Sequence, residues 1–135
     1  MVKAQLVAKD IEAGQTIFEH LRQHDELRIE AAFWWQEDEE WRFVVATPIV
    51  HEEGRLAVHR KIRRAIEGDK VPGECSDILD RLDVLSPREG LITVLDIGSL
   101  GEVPLSRLIV AESVRGVYVE GAYFYHFAPK MFLRS

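Results

Sequence analysis

Two stretches carry most of the information about the fold: Leu-Arg-Ile-Glu-Ala-Ala-Phe-Trp-Trp-Gln at residues 27–36 and Trp-Arg-Phe-Val-Val-Ala-Thr-Pro-Ile-Val at residues 41–50. Every second residue from Leu27 to Trp35 is apolar, which is the pattern of a strand with one buried face. If the second stretch folds back so that Trp35 faces Trp41, the large apolar residues of both strands share one side. The other pairs in this register are Phe33 with Phe43, Ala31 with Val45, and Leu27 with Ile49. The sequence therefore predicts an antiparallel hairpin joined by Gln36–Glu40.

The opposite face of this predicted hairpin is also apolar, since it carries Ala32, Trp34, Val44 and Ala46. Large exposed apolar patches are typical of contact surfaces. We therefore expect a homodimer that uses this face, with Trp34 as its anchor and Arg42 opposite, able to stack on the indole ring. The competing expectation is that a helix over Pro87–Ile97 and the segment Met131–Leu133 cover this face within one chain.

Helical and strand periodicity predict the remaining elements. Helices are expected over Lys3–His24, Gly54–Glu67 and Pro87–Ile97, with Ser86 as a cap and Glu89 completing a capping box. One helical turn and a short strand through Leu82 and Val84 are expected within Ser76–Ser86. The last predicted strands are Arg107–Ser113 and Gly116–Phe127, and Glu120-Gly121 indicates either a tight turn or a glycine bulge in one long strand.

The predicted order of elements is α-β-β-α-β-α-β-β. Sequential hairpins favour antiparallel pairing, so the expected fold is a single α+β domain over residues 1–135. It would have two layers, with helices packed on one face of a mainly antiparallel sheet of about five strands. The helices of Lys3–His24 and Gly54–Glu67 are expected to share that face.

Composition restricts the class of protein. The 135 residues are 47% hydrophobic and 30% charged, which is typical of a soluble globular domain. No apolar run approaches the roughly 20 residues that cross a bilayer, and no signal peptide is expected. Cys75 is the only cysteine, which favours a reducing cytosol. The net charge of −6 argues against general nucleic-acid binding, because phosphate recognition needs a basic surface.

Four segments resemble those of a family of small, uncharacterised bacterial proteins. They are Lys9-Asp10-Ile11-Glu12-Ala13-Gly14, Trp41-Arg42 through Pro48, Leu85-Ser86-Pro87 and Gly116–Tyr125. The resemblance covers most of the chain and implies a bacterial cytosolic single domain. No activity is known for that family, so the resemblance implies no catalytic residue.

Several residues have spacings that are found in catalytic or metal sites. His20 and His24 lie four residues apart, but no third ligand is evident. Asp77, Asp80 and Asp83 recur every three residues, yet the last of them falls in the predicted short strand. Cys75 has acidic neighbours, which disfavour a thiolate, and Ser86 lacks the Gly-x-Ser-x-Gly pattern. The sequence therefore predicts no catalytic residue, no metal site and no cofactor.

The strongest charge pattern is a basic helix face formed by Arg60, Lys61, Arg63 and Arg64. Such a face suits binding to nucleic-acid phosphates or to an acidic protein surface. The simpler interpretation is that these side chains are exposed to solvent and that nearby acidic residues neutralise part of their charge. The acidic stretch Glu37-Asp38-Glu39-Glu40 opposes it in sign. The two are expected to meet within the fold, between subunits, or with separate partners.

Three functions are therefore considered. The favoured one is a non-enzymatic protein-interaction module, acting as a homodimer or as a subunit of a bacterial cytosolic assembly, because no catalytic constellation is recognisable. The second is a small-molecule or regulatory ligand-binding domain. Its expected pocket residues are Trp34, Tyr118, Phe124 and His126. The third is an enzyme of unrecognised type, acting on nucleic acid through the basic helix.

Overall fold

The computed structural model describes Leu6 and residues 8–68, 76–97, 104–114 and 116–128. Its helices are α1 (Ala8–Leu21), α2 (Ile49–Glu53), α3 (Arg55–Gly68), α4 (Ser76–Leu79) and α5 (Gly90–Ile97), with a 3-10 turn at Asp25–Leu27. Its strands are β1 (Ala31–Glu37), β2 (Glu40–Ala46), β3 (Leu82–Leu85), β4 (Leu108–Val114) and β5 (Val117–Phe127). The predicted helix start at Lys3, Cys75 and the segment Met131–Leu133 lie outside the described residues.

The strands form one five-stranded sheet in the order β3-β2-β1-β5-β4. Pairing is antiparallel throughout, except that β2 and β3 are parallel. The α+β class and the mainly antiparallel sheet are confirmed, and the short helices α2 and α4 are added to the predicted order. The helical turn and short strand expected within Ser76–Ser86 are α4 and β3. The helix α5 begins at Gly90, three residues after the predicted Pro87.

The predicted hairpin register is wrong by one residue. Trp34 pairs with Phe43, and Phe33 pairs with Val44, so Phe33 and Phe43 lie on opposite faces of the sheet. The strands are joined by Asp38 and Glu39, both with positive φ (53° and 68°). A two-residue turn with positive φ at both positions matches the strand twist, and it sets a register that the longer predicted loop does not. Apolar residues on both faces left the register poorly specified by the pattern alone.

Both faces of the sheet are buried. On one face, α1 and α3 pack over Trp34, Phe43 and Tyr125, which confirms that these two helices share a face. On the other, Ile92 and Leu95 of α5 pack with a second apolar cluster, so helices lie on both faces of the sheet and not on one face as expected. The strand residues of that second cluster include Ala31, Phe33, Trp35, Val44, Ala46 and Phe124. Fully burying one large apolar side chain contributes about 1.5–3 kcal/mol, so this double-sided burial dominates stability.

Two glycines allow close packing on the α1 face. A Cβ at Gly14 would lie 2.3 Å from the Tyr125 hydroxyl oxygen, so glycine lets α1 approach the sheet. A Cβ at Gly121 would lie 2.7 Å from the ring of Trp41. Gly121 lies within the continuous strand β5, so Glu120-Gly121 does not form a tight turn.

Candidate interaction surface

Trp34 is an interior residue. Its side chain is 0% exposed, its ring packs edge-on against Phe43 at 5.2 Å, and the Arg81 guanidinium lies 4.8 Å from the ring centroid. The expected exposed patch of Ala32, Trp34, Val44 and Ala46 is therefore wrong. Helices cover both sides of the sheet, and these four residues divide between the two buried clusters. Trp34 is not available as the anchor of a dimer contact.

Arg42 is exposed, but it lies opposite Trp35 in β1. Its guanidinium nitrogens approach carboxylates of Glu40 and Asp83, each at 3.9 Å. The predicted stacking of Arg42 on Trp34 is wrong, because the one-residue change in register places Arg42 opposite Trp35 and not opposite Trp34. Arg81 provides the cation over the indole ring.

Exposed apolar side chains concentrate at the β4 end of the sheet. Leu108, Val110 and Tyr118 are 41%, 62% and 68% exposed, and Leu105 is exposed beside them in sequence. Two further large apolar residues, Leu56 and Val94, are exposed on α3 and α5. A grouped apolar surface is more informative than single exposed residues, which are common on soluble proteins.

The strand register places these side chains on the same face. Leu108 lies opposite Tyr123 and Val110 opposite Gly121, and residues directly opposite in adjacent strands share a face. Val117 and Val119, which flank Tyr118 in β5, pack into the second apolar cluster, so Tyr118 points away from that cluster. We call Leu108, Val110 and Tyr118 the β4 face. The β4 face lies on the same side of the sheet as α1, at the edge that α1 does not cover.

The strand β4 is also an edge of the sheet within the described part of the chain. Ser106, which precedes the strand, and Ala111, which lies within it, have positive φ of 58° and 48°, and Ala111 is skipped in the pairing with β5. Arg107 and Glu112 lie on either side of the apolar pair, and the guanidinium donates two hydrogen bonds of 3.0 and 3.3 Å to the carboxylate. These hydrogen bonds, together with charge attraction, lower the pKa of Glu112 and raise that of Arg107. The edge thus carries one charge of each sign.

The basic helix face lies on α3. Lys61 pairs with Glu53 at 2.6 Å, and Arg63 lies 4.0 Å from Asp80. Arg60 and Arg64 are exposed, and the Arg64 Nε donates a 3.4 Å hydrogen bond to the carbonyl of Arg60 in the same helix. Two of the four predicted binding residues are therefore engaged by acids of neighbouring elements.

The residues with metal-like spacing are dispersed. In the described part of the chain, no three His, Cys, Asp or Glu side chains gather into a possible metal site. The ring of His24 lies 3.3 Å from the Glu26 carboxylate. Asp83 lies in β3, whereas Asp77 is in α4 and Asp80 in the turn between them, so the three do not share a helix face.

Ser86 lies beside an imidazole that sequence spacing did not reveal. The parallel strands β2 and β3 end at one edge of the sheet, which brings His51 of α2 to Ser86. The Ser86 hydroxyl is hydrogen-bonded to His51 Nε2, and it accepts the Arg88 N–H at 3.1 Å. Ser86 is 0% exposed, so its hydroxyl is not accessible from solvent, although His51 is exposed. It links α2 to the turn that precedes α5.

The predicted pocket of Trp34, Tyr118, Phe124 and His126 is wrong. Trp34 and Phe124 are buried in different clusters on opposite faces, and Tyr118 is on the β4 face. Of these four, only His126 lines the cleft at the carboxyl end of α1.

These features define an α+β protein with a five-stranded mixed sheet and helices on both faces. Comparison with known family models, curated proteins and solved structures gave no match to the chain. Among the helices in the described residues, none combines the length and apolar character needed to cross a membrane.

Proposed function

We propose that the protein is a non-enzymatic interaction module that acts as a homodimer in the bacterial cytosol, paired through strand β4. The observation that supports this proposal is the exposure of Leu108, Val110 and Tyr118 beside an edge strand. Edge strands offer unpaired N–H and C=O groups to a further strand, and apolar side chains next to them add burial on pairing. The cytosolic and bacterial assignments rest on the composition, the single cysteine and the family resemblance.

The occupant of this surface is a second copy of the chain. In a two-fold antiparallel pairing centred on Ile109, Leu108 of each copy lies opposite Val110 of the other, on the same face. Arg107 of each copy then lies opposite Ala111 of the other, one residue away from the Glu112 of that copy. The strand is complementary to itself in apolar pattern and in charge, which is the condition for a symmetric interface. Opposite charges that lie close across the pairing also favour this register.

Light scattering after size-exclusion chromatography tests the dimer at micromolar concentration. The natural protein is expected to have the mass of a dimer, and Val110→Lys that of a monomer, because the substitution places a charge against apolar residues of the second copy. Leu56→Lys is the matched control, since Leu56 is 65% exposed on α3, away from β4. A monomeric natural protein, or a dimer that persists in Val110→Lys, would overturn the proposal.

A charge-swap mixture distinguishes a second copy from another partner. Arg107→Glu and Glu112→Arg each place like charges across the symmetric pairing, so each variant alone is expected to be monomeric. In a mixture, the new carboxylate at position 107 of one copy meets the new guanidinium at position 112 of the other. The mixture is therefore expected to recover a dimer that contains one copy of each variant. If both variants remain dimeric alone, or if the mixture stays monomeric, the proposed pairing is wrong.

A further inference from the structure

A cleft of about 360 Å³ lies at the carboxyl end of α1, away from the β4 face. It is bounded by α1, by the 3-10 turn with the residues that follow it, and by the end of β5. The side chains that decide its chemistry are Phe18, Arg22, His24, Arg28, Tyr125 and His126. Ligand sites in proteins usually occupy about 300–1,000 Å³, so this cleft suits a small ligand.

The floor of the cleft is aromatic. The Phe18 ring stacks on the His126 imidazole at 5.6 Å between centroids, with an interplanar angle of 22°. It also stacks on Tyr125 at 6.4 Å, with an angle of 20°. The Arg22 guanidinium carbon lies 5.4 Å from the centroid of Phe18. Phe18 and Tyr125 are buried, so these rings form a packed base beneath the exposed Arg22 guanidinium.

The polar lining is mainly cationic. Arg22 and Arg28 contribute guanidinium groups, and Asp25 contributes a carboxylate at the exposed rim. Arg28 is held in the left-handed region (φ 46°), where its N–H bonds to the Asp25 carbonyl at 3.1 Å, and its side chain pairs with Glu52. The Arg22 guanidinium in turn lies 3.8 Å from the Glu19 carboxylate. Each guanidinium has several N–H donors, so a ligand anion competes with the exposed Glu19 and Glu52 carboxylates for charge-assisted hydrogen bonds to Arg22 and Arg28.

His126 adds a titratable group to this site. The imidazole is half-buried, and burial followed by repulsion from Arg22 lowers its pKa, while Glu30 acts in the opposite direction. The other charged or titratable groups that line the cleft are His24, Asp25, Arg28 and the Tyr125 phenol. A bound anion stabilises the imidazolium form, so binding and proton uptake by His126 are coupled.

We propose that this cleft binds a small organic anion, with an aromatic carboxylate as its simplest form: the carboxylate meets Arg22 and Arg28, and the ring packs against the partly exposed side chains of Ile29 and His126. The apolar and cationic parts of the lining are adjacent, so a ligand that carries both a ring and a carboxylate satisfies both. This site is independent of the dimer contact. Val110→Lys is therefore expected to bind the same ligand as the natural protein.

Proton–nitrogen NMR with benzoate as the probe tests the proposal. Saturable shifts are expected at the backbone amides of Arg28 and His126, with no comparable shifts for benzyl alcohol or benzylamine, which lack the negative charge. Arg22→Gln is expected to raise the dissociation constant about tenfold or more, the size of one lost charge-assisted hydrogen bond. Arg64→Gln, which changes an arginine on α3, is the control and is expected to leave binding unchanged.

The pH dependence provides a second readout. Benzoate binding is expected to tighten as the pH falls from about 7 to about 5, because burial lowers the pKa of His126 below the ordinary imidazole value, and His126→Gln is expected to remove this slope. Thermal unfolding of each variant establishes that it is folded before binding is measured. Equal binding of benzoate and benzyl alcohol, or full benzoate affinity in folded Arg22→Gln, would exclude the anion site.

Discussion

The indole Nε1 of Trp34 donates a 3.1 Å hydrogen bond to the hydroxyl oxygen of Tyr125, beneath α1. The same hydroxyl donates a 2.6 Å hydrogen bond to the carbonyl oxygen of Ile11. One phenol therefore joins β1, β5 and α1 within the larger apolar cluster. Buried Trp and Tyr side chains usually find such partners, because an unpaired polar group in an apolar interior is costly.

Tyr125→Phe is expected to destabilise the fold by about 1–3 kcal/mol, because it leaves the buried Trp34 N–H without its acceptor. Urea unfolding at neutral pH measures this loss. In the Val110→Lys background, which is expected to be monomeric, Tyr118→Phe removes the same hydroxyl from a side chain that is 68% exposed, and it is expected to leave stability unchanged. Equal stability of the two variants would show that the hydrogen bond contributes nothing.

The same residue predicts sensitivity to alkaline pH. Burial raises the pKa of Tyr125 above its ordinary value, with the Trp34 hydrogen bond opposing this shift. The folded protein therefore holds its phenolic proton to higher pH than the unfolded chain, which begins to lose it near pH ~10. The free energy of unfolding should fall as the pH rises above that point, and Tyr125→Phe should show a shallower fall. If the free energy of unfolding fell equally with pH in the natural protein and in Tyr125→Phe, this expectation would be contradicted.

Gly14→Ala is expected to destabilise the protein, although alanine favours a helix by about 1 kcal/mol. The added methyl would lie 2.3 Å from the Tyr125 hydroxyl and 2.8 Å from Trp34 Nε1, so α1 must move away from the sheet. Overpacking of this kind costs about 1–3 kcal/mol. Gly68→Ala is the control, since nothing lies within 4 Å of a Cβ at that position. A Gly14→Ala protein as stable as the control would contradict this packing.

Local periodicity was sufficient to predict most elements, because α1, α3, β3 and β5 each present a repeating apolar pattern. The register of β1 and β2 was not predictable in this way. It depends on the backbone of Asp38 and Glu39, which adopt positive φ without the Asn-Gly signal that usually marks such turns. The burial of Trp34, which was expected to be an exposed anchor, has a different cause, because helices cover both faces of the sheet.

The candidate sites bring together residues that are far apart in the sequence, so local sequence patterns do not predict them. Arg22 and His126 meet across the cleft although they lie near opposite ends of the sequence. The alternation of Leu108 and Val110 was visible, but such residues in a strand are normally buried. Their exposure depends on which part of this sheet face α1 covers, which no local pattern specifies.

The contact between His51 and Ser86 is expected to couple the two residues energetically. Replacing His51 with alanine leaves the buried Ser86 hydroxyl without its imidazole partner, and Ser86→Ala removes the same hydrogen bond from the other side. The double variant should therefore be about 1 kcal/mol more stable than the sum of the single losses predicts. Chemical denaturation of the four proteins measures this coupling. Strict additivity would show that the hydrogen bond has no net effect on folding.

The last prediction concerns the basic face of α3. Arg60 and Arg64 are exposed, and the Arg64 guanidinium bonds to a carbonyl of its own helix. Reversing both charges in Arg60→Glu/Arg64→Glu is expected to change stability by no more than about 0.5 kcal/mol. Loss of the Lys61–Glu53 pair in Lys61→Ala should cost no more than about 1 kcal/mol, because both side chains are partly exposed.

The same double variant tests whether the basic face of α3 takes part in the dimer contact that we propose for β4. Its mass in light scattering is expected to equal that of the natural protein, because α3 takes no part in the proposed pairing. A single-stranded RNA probe is expected to bind neither protein at physiological salt, since the net charge of −6 opposes phosphate binding. RNA binding that is lost in Arg60→Glu/Arg64→Glu would instead identify this face as a nucleic-acid site. A change in mass would place α3 in the subunit contact and contradict pairing through β4 alone.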